Sequence, residues 1–441
     1  MSANVPGDVR ARFLEAAVWH GRLEPAEAIL AQYPALRTSD VFTASILGDH
    51  ALVRQLLAAD ASNVSKKDGP YDTEPLVYLA LSKYLRLDKA RTSEFVQTAA
   101  VLLDAGADPN AGFTLDGEFE SALYGAAGVA HNAELTQLLL DRGAVPDGEV
   151  CYHAAEEYDL GAMQALVRSG KVDDEGLTLL LLRKIDWHDE AGVKWLLAQG
   201  VSPDRIGSFG FTALTHALRR DNSLAIIDAL LDHGADPLAL HDGKSGVARA
   251  ARAGRGDVLE SLQERGVSVA LDGIDALLAA CALGESARVQ TMAHDKPGLV
   301  KELLAVGGKL LGTFVGTDNR LGVRQLLDLG VPVEALWEEG DGYFGVAPNS
   351  MAIHVAAWLA RHDLVETLID RGSPVNVRDG KGRTPLQLAV KATVDSYWTE
   401  RRKPDSVRAL IAAGASVEGV EYPSGYAAVD AILASNGVES A

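Results

Sequence analysis

Five stretches of the chain end an apolar run in the same way, with a glycine and, two or three residues later, a proline. The glycines are Gly106, Gly143, Gly200, Gly234 and Gly330, and each closely follows two or three leucines. Glycine caps a helix because it adopts the left-handed conformation without strain, and proline prevents the helix from continuing. The recurrence of this signal predicts a row of similar helical units rather than one globular core.

A second motif marks the beginning of several units. Residues 384–389 read Thr-Pro-Leu-Gln-Leu-Ala, and looser copies occupy residues 212–217 and 352–357. The segment 229–236, Ala-Leu-Leu-Asp-His-Gly-Ala-Asp, ends one of the units. On these residues the chain resembles the ankyrin-repeat family, whose repeats carry Thr-Pro-Leu-His-x-Ala. The resemblance implies an all-α fold, an ankyrin-repeat solenoid of about twelve helix-turn-helix units with loop insertions, divergent from the consensus.

The spacing of the cap glycines agrees with this period. The intervals between successive caps are 37, 27, 30, 34 and 32 residues, around the 33 expected of this repeat. These caps are Gly106, Gly143, Gly170, Gly200, Gly234 and Gly266. The longer interval from Gly266 to Gly330 is interpreted as two units. Insertions are expected to project as loops at residues 63–73, 111–120, 335–349 and 395–405.

Two of these insertions have a distinctive composition. The insertion at 335–349 contains Trp337, Tyr343 and Phe344 among glycines and acidic residues. Exposed aromatic residues on such a loop anchor partners, but they can equally fold back over the neighbouring hairpin, and both interpretations stay open. The insertion at 395–405 ends in a basic cluster and is expected to extend a helix into solvent.

The predicted organisation has three parts. Residues 1–60 form the N-terminal capping and first ankyrin-like units, and residues 61–420 form the central array, with a candidate site within 120–256. Residues 421–441 form a C-terminal cap and tail, in which residues 426–434 resemble a first helix without a partner. Repeat arrays need capped ends because a terminal unit exposes one side of its apolar seam.

Charge and composition exclude several classes of protein. The formal net charge of −20 argues against a general nucleic-acid-binding surface, which is basic. The chain has no apolar run of about 18 residues, so no transmembrane helix is expected, and residues 1–8 lack the pattern of a signal peptide. Cys151 and Cys281 are far apart and have no metal-binding spacing, which predicts a reducing cytoplasm, no metal and no cofactor. The Ala-, Arg- and Gly-rich, Lys-poor composition suggests a high-GC bacterium.

The resemblance also implies which residues face the concave groove of the array. In such repeats three positions of the first helix, about one turn apart, point into the groove. In the middle four units these positions gather polar and aromatic side chains: His153, Glu156, Glu157, Arg183, Asp186, Trp187, His216, Arg219, Arg220, Arg249 and Arg252. Packed helices lie roughly 10 Å apart, so arginines of neighbouring units are expected to converge on one ligand. A guanidinium group suits carboxylate or phosphate.

We therefore predict a ligand-binding set at this centre: Arg183, Trp187, His216, Arg219, Arg220, Arg249 and Arg252. The alternative is a solvated groove in which carboxylates neutralise the arginines between neighbouring repeats. Glu156, Glu157 and Asp186 are placed to pair with Arg183 and Arg219, and such pairs contribute little to stability. The sequence leaves these two interpretations open.

A catalytic interpretation of the same centre is weaker. If the protein is an enzyme, His153 or His216 would act as general base, and Glu156, Asp186 and Tyr124 are the other candidate catalytic residues. The sequence contains no readable nucleophile–base pair, phosphate-binding loop or metal motif. We therefore leave open whether the protein is an enzyme and favour the interpretation that it is not one.

The favoured hypothesis is a non-enzymatic cytoplasmic recognition scaffold that binds a protein partner through its concave groove and loops. The alternative is an enzyme or receptor for a small anionic ligand, such as a sugar acid or organic phosphate, in the Arg- and His-rich central groove. Neither hypothesis involves nucleic acid or a membrane. Concentration of the polar groups in four neighbouring units favours the small ligand, whereas ankyrin arrays usually bind proteins.

Overall fold

The computed structural model of the protein describes residues 7–438. The segment on which the signal-peptide prediction rests lies mostly before these residues, and the last three residues of the predicted tail lie after them. The chain divides into two compact units, the first ending at Ala235 and the second beginning at Asp236. The domain boundaries predicted at residues 60 and 420 stay predictions.

The first unit contains fifteen α-helices among the described residues. They are α1 (Gly7–Ala16), α2 (Glu24–Gln32), α3 (Val41–Ile46), α4 (His50–Ala59), α5 (Pro75–Ala80), α6 (Lys83–Leu87), α7 (Thr92–Asp104), α8 (Ala122–Tyr124), α9 (Ala133–Asp141), α10 (Gly148–Ala154), α11 (Gly161–Arg168), α12 (Asp174–Asp186), α13 (Glu190–Ala198), α14 (Ala213–Arg219) and α15 (Leu224–Asp232). A π-helical turn, Gly125–Val129, continues α8. Strands β1 (Gly112–Leu115) and β2 (Glu118–Ser121) form an antiparallel hairpin before α8.

The second unit continues the same pattern of short helices. They are α16 (Gly246–Arg252), α17 (Gly256–Glu264), α18 (Gly273–Ala282), α19 (Ser286–Asp295), α20 (Pro297–Ala305), α21 (Gly307–Gly316), α22 (Arg320–Asp328), α23 (Ala352–Trp358), α24 (His362–Asp370), α25 (Pro385–Asp395), α26 (Asp405–Ala412) and α27 (Ala427–Ser435). Strands β3 (Leu336–Trp337) and β4 (Ser350–Met351) pair antiparallel at the two ends of the third insertion.

Twenty-four of the 27 helices described within residues 7–438 form twelve consecutive pairs, seven in the first unit and five in the second, and α6, α20 and α27 lie outside these pairs. In the first unit α10 packs against α12 and α12 against α14, while α9 packs against α11 and α13 against α15. Like helices therefore stack on like helices, as in a repeat array. The all-α repeat architecture that the sequence predicts is confirmed, and α27 stands alone near the C-terminus as expected.

The ends of the helices follow from the local sequence. Asp147 and Asp173 precede α10 and α12, and each accepts a hydrogen bond from a backbone N–H in the first turn. The cap glycines adopt the left-handed backbone, with φ of 104° at Gly143 and 87° at Gly200. A side chain at these positions would be strained, so glycine ends one helix and the chain turns toward the next.

In the second unit, the spacing of the cap glycines does not predict helix α20. The interval from Gly266 to Gly330 contains two helix pairs, as interpreted, but it also contains α20, which packs against α18 and α19. Pro297 occupies the first turn of α20, where its missing N–H costs nothing. The interval therefore contains two pairs, as interpreted, and one additional helix that the spacing does not predict.

Trp337 shows how one insertion closes onto the array. The side chain is buried, and it lies against Gly312 of α21, where an added Cβ would be 2.7 Å from the indole ring. At Gly308, an added Cβ would be 2.1 Å from the carbonyl oxygen of Leu336. Glycine at these two positions lets β3 approach the helix closely. For Trp337 the structure therefore favours the interpretation in which the loop folds back over the neighbouring hairpin.

None of the helices in residues 7–438 combines the length and the apolar composition that are needed to cross a bilayer. Most of the core of the first unit consists of aliphatic and small side chains. Leu135, Leu139 and Leu166 are among its fully buried members. This seam holds the first helices in place, so their groove-facing side chains occupy fixed positions relative to one another.

Candidate functional site

Asp186 is the centre of a charge network at the end of α12. Its Oδ2 accepts a hydrogen bond from Nη1 of Arg183 at 2.8 Å, and its Oδ1 accepts one from Nε of Arg220 at 2.6 Å. Nε2 of His216 lies 2.8 Å from the same Oδ1. Burial alone would raise the pKa of Asp186, but hydrogen bonds and charges from His216 and Arg220 lower it to about 2. The carboxylate is therefore held ionised by side chains of two consecutive helix pairs.

The network continues through Arg183 into the preceding pair. Nη2 of Arg183 donates to Oε1 of Glu156, and the guanidinium carbon lies 3.9 Å from the ring centroid of Tyr152. Oε2 of Glu156 is 2.9 Å from Nδ1 of His153, whose Nε2 is 3.5 Å from a carboxylate oxygen of Glu149. The hydrogen bond to Glu156 raises the pKa of His153. The chain of contacts therefore joins α10, α12 and the end of α14.

This pairing bears directly on anion binding. Arg183 is already shared between two carboxylates, Glu156 and Asp186, and only 12% of its side chain is exposed. Arg220 is bound to Asp186 as well. An incoming anion would have to displace these carboxylates rather than bind a vacant guanidinium group. The contacts match the alternative in which carboxylates of neighbouring repeats neutralise the arginines, although Glu157 accepts a hydrogen bond from the N–H of Tyr158 instead.

His216 is enclosed within the same network. The residue is 1% exposed, and its ring stacks with Phe209 and Phe211 at centroid distances of 5.9 Å and 6.1 Å. Its Nδ1 is buried and has no hydrogen-bond partner within the described chain. A general base has to reach the proton that it abstracts, and an enclosed imidazole bound to Asp186 does not. The geometry therefore favours a structural role for His216.

The remaining predicted residues of the first unit surround this network. Arg219 is exposed, and its guanidinium carbon lies 4.1 Å from the ring centroid of Phe211. Trp187 contacts Tyr158 edge to face at 5.8 Å, and the hydroxyl of Tyr158 donates to the carbonyl oxygen of Trp187 at 3.0 Å. These side chains border the charged network on its solvent side.

The last two predicted arginines belong to the second unit. Nη2 of Arg249 donates to the carbonyl oxygen of His241 at 2.5 Å. Nε of Arg252 lies 2.5 Å from a carboxylate oxygen of Asp275. Both contacts are within the second unit. The structure therefore brings together Arg183 and Arg220 around Asp186, and the single patch of five arginines stays a prediction.

A buried ion pair beneath the network has a structural role. Lys184 is fully buried, and its Nζ donates to Oδ2 of Asp189 at 2.8 Å and to the carbonyl oxygen of Glu157. The other carboxylate oxygen, Oδ1, accepts a hydrogen bond from the N–H of Gly192 at 2.9 Å and so caps α13. Gly192 lies directly against the aliphatic stem of Lys184. The repeat pattern does not predict this pairing.

The catalytic candidates are not arranged around an accessible nucleophile. Tyr124 is buried and contacts His153 edge to face at 5.3 Å. A serine does lie near another histidine, with Oγ of Ser406 2.7 Å from Nδ1 of His362, but Ser406 is buried. Within residues 7–438, no group of three His, Cys, Asp or Glu side chains is close enough to hold a metal ion.

Sequence reasoning missed a cluster of aromatic rings near the N-terminus. Trp19 contacts Tyr71, Phe113 and Tyr124, with ring centroids 5.9 to 6.2 Å apart. We call these four residues the aromatic cluster. Tyr71 and Phe113 come from two insertions whose paths the repeat pattern does not specify, so the cluster could not be predicted from that pattern.

A second aromatic surface lies in the second unit, where two insertions meet. Phe344 stacks against Trp398 at 6.4 Å, and each contacts a neighbouring tyrosine, Tyr343 at 4.9 Å and Tyr397 at 6.5 Å. We call these four residues the aromatic platform. Tyr397 is 90% exposed and Tyr343 is 42% exposed. The basic end of the fourth insertion does not simply extend α25, because Arg401 lies over the Trp398 ring at 5.5 Å.

The repeated helix pair can now be compared with known proteins. The sequence pattern described as the ankyrin repeat matches residues 209–242, which include α14 and α15. Residues 209–242 therefore carry an ankyrin repeat. Among solved structures, it is similar to the ankyrin repeat domain of human ASB11, with 18% sequence identity and a TM-score of 0.26. That similarity covers 59% of this chain and 99% of the human domain.

No curated protein matches the chain. Ankyrin repeats generally mediate contacts between proteins, so the repeat indicates a class of activity and leaves the partner open.

Proposed function

We propose that this protein is a non-enzymatic recognition scaffold of the cytoplasm that binds a protein partner. The observation that carries the proposal is the aromatic platform. Large aromatic side chains dominate the binding energy of protein interfaces because they bury much area at a low entropic cost. Tyr397, with 90% of its surface exposed, contributes nothing comparable to the core of its own chain.

Hydrogen bonds to the backbone of both insertions hold the aromatic platform in place, which favours a binding surface over a flexible loop. Nε1 of Trp358 donates to the carbonyl oxygen of Phe344 at 2.7 Å. On the other insertion, Nη2 of Arg402 donates to the carbonyl oxygen of Ser396 at 2.6 Å. The hydroxyl of Tyr426 donates to the carbonyl oxygen of Arg402 at 3.0 Å. A surface that is ordered before binding loses less conformational entropy when its partner arrives.

We favour the scaffold over an enzyme or an anion receptor because of the network around Asp186. The guanidinium groups of Arg183 and Arg220 are paired with carboxylates, and His216 is enclosed. Such a network joins consecutive helix pairs, and we infer that it stiffens the scaffold. The cytoplasmic part of the proposal is supported by Cys151 and Cys281, which are buried and not joined in a disulfide.

Site-specific photocrosslinking tests the scaffold proposal. A benzophenone maleimide is attached to the Tyr397→Cys variant and, in a separate sample, to the Leu321→Cys variant as the control. Leu321 is exposed on α22, the second helix of its pair. The native thiols of Cys151 and Cys281 do not compete for the label, because burial raises the pKa of each to about 12. After illumination in lysate of the native host, we expect discrete protein adducts at residue 397 and none at residue 321.

A competition control makes the test specific to the platform. Excess unlabelled parent protein should suppress the adducts at residue 397, whereas excess Trp398→Ala should not, because that variant lacks the ring on which Phe344 stacks. The proposal fails if both positions give the same adducts, if neither gives any, or if Trp398→Ala competes as well as the parent protein.

A further inference from the structure

Glu120 is a buried carboxylate with one oxygen, Oε2, that accepts no hydrogen bond within the described chain. The residue is 8% exposed, its Oε2 is completely buried, and no side chain or backbone group of the described chain donates to it. Burial of a carboxylate is costly unless a donor or an opposite charge compensates it. Burial, followed by the nearby charge of Glu149, raises the pKa of Glu120. The described part of the chain therefore supplies no hydrogen-bond donor that would compensate the burial of Oε2 of Glu120.

The β1–β2 hairpin directs Glu120 toward the aromatic cluster. Glu120 pairs directly with Phe113 in the antiparallel register, and directly paired residues project from the same face of a hairpin. Phe113 lies 6.1 Å from Trp19 and 5.0 Å from Tyr71, measured between ring centroids. The charge of Glu120 also helps burial to raise the pKa of Tyr124. The carboxylate and the rings therefore share one place on the first unit.

The charge around this place is negative. Glu149 has a side chain that is 35% exposed, and it borders the site from α10. Glu15 adds a further negative charge that, after burial, raises the pKa of Tyr71. His153 acts on Glu120 in the opposite direction and lowers its pKa, but His153 is shared between Glu149 and Glu156. Its single charge does not balance the carboxylates.

Electron-rich ring faces beside an uncompensated carboxylate suit an organic cation. A cation over an aromatic face is attracted by the ring quadrupole, and ammonium groups carrying alkyl substituents also gain from apolar contact. A bare metal ion would need several oxygen or nitrogen ligands, and no such group of side chains is present within residues 7–438. We propose that Glu120, Glu149 and the aromatic cluster bind an alkylammonium cation.

This site is in the first unit and is independent of the aromatic platform in the second. Two sources of the cation share the same chemistry, a free quaternary ammonium compound and a methylated lysine side chain of a protein. A cation would enter the site past Glu149, because the side chain of Glu149 is partly exposed whereas that of Glu120 is buried. A ligand entering past Glu149 would reach the rings and Glu120 together.

Titration calorimetry of the full chain with tetramethylammonium chloride tests the proposal, with potassium chloride at equal ionic strength as the reference. We expect saturable binding with a Kd of about 1 mM or tighter, and an affinity weakened about tenfold or more in Glu120→Gln. The matched control is Glu134→Gln, an exposed residue of α9, which should bind like the parent protein. Tighter binding of an acetylated trimethyl-lysine peptide than of tetramethylammonium identifies a protein source, and equal affinity identifies a free cation.

A second readout separates binding from folding. Glu120→Gln removes the charge of a buried carboxylate whose Oε2 accepts no hydrogen bond within the described chain, so we expect its Tm to equal or exceed that of the unliganded parent protein. Tetramethylammonium should then raise the Tm of the parent protein but not that of Glu120→Gln. The proposal is overturned if tetramethylammonium shows no saturable binding, or if Glu120→Gln binds it as tightly as the parent protein does.

Discussion

Replacing Asp189 with alanine is expected to destabilise the pair of helices α12 and α13 by about 3–5 kcal/mol, the usual consequence of removing one partner of a buried ion pair. The fully buried ammonium group of Lys184 would lose the carboxylate that lies 2.8 Å away. The N–H of Gly192 would lose its cap as well, which alone typically costs about 1 kcal/mol. Hydrogen exchange of the backbone amides in α12 and α13 measures the loss locally, since a repeat array need not unfold in two states.

A double substitution separates the charge from the cap. Asn in place of Asp189 can still accept from the N–H of Gly192, and Met in place of Lys184 fills a similar volume without a charge. The Lys184→Met, Asp189→Asn protein should therefore recover most of the protection that Asp189→Ala loses, because replacing a whole buried pair is often close to neutral. If both variants lose protection equally, the buried charge is not the cause.

Replacing Asp186 with alanine is the second large effect that we expect. It would leave Arg183, Arg220 and His216 facing one another without their shared carboxylate. The expected cost is about 3–5 kcal/mol, because the partly buried guanidinium groups of Arg183 and Arg220 lose this carboxylate at once and only Arg183 keeps a contact with Glu156. Urea denaturation followed by circular dichroism measures the shift. The control is Glu190→Ala, whose exposed pair with Lys194 should contribute below about 1 kcal/mol.

The lowered pKa of Asp186 makes the stability of the protein depend on pH. Its partners depress the pKa of Asp186 from 3.8 to about 2, despite the opposing effect of burial. A depressed carboxylate pKa contributes stability that is present above pH 3.8 and is lost as the pH falls through about 2. The stability of the parent protein should therefore fall over this interval by more than that of Asp186→Asn. Parallel curves for the two proteins would show that Asp186 is not held ionised by its neighbours.

The repeat architecture could be predicted because its signals are local. A glycine with positive φ and a proline beyond it end a helix whatever lies elsewhere in the chain, as at Gly143 and Gly200. The insertion at 111–120 was located by the same spacing, and most of it forms the β1–β2 hairpin. The additional helix α20 escaped notice because its interval already equalled two repeats, and a regular period does not reveal what fills a connection.

The candidate sites could be predicted only in part, because a register assigns a face and not a partner. The register predicts the helix face of Arg183, but its pairing with Glu156 and Asp186 depends on side-chain conformations across two repeats. The aromatic cluster depends on segments that are distant in sequence, since Trp19 and Tyr71 meet Phe113 only after folding. The same holds for the aromatic platform, which two separate insertions build.

We expect the Arg- and His-rich centre of the first unit to be a self-paired network of a recognition scaffold rather than a site for a small anion. Titration of the parent protein with phosphate and citrate, against chloride at equal ionic strength, tests it through the Tm. A site filled to about 100 times its Kd would add about 2.7 kcal/mol of stability, which is easily detected. We predict no saturable rise beyond the chloride reference, and the same behaviour in Arg219→Ala. A saturable rise in the parent protein that Arg219→Ala abolishes would contradict the claim and identify the centre as an anion-binding site.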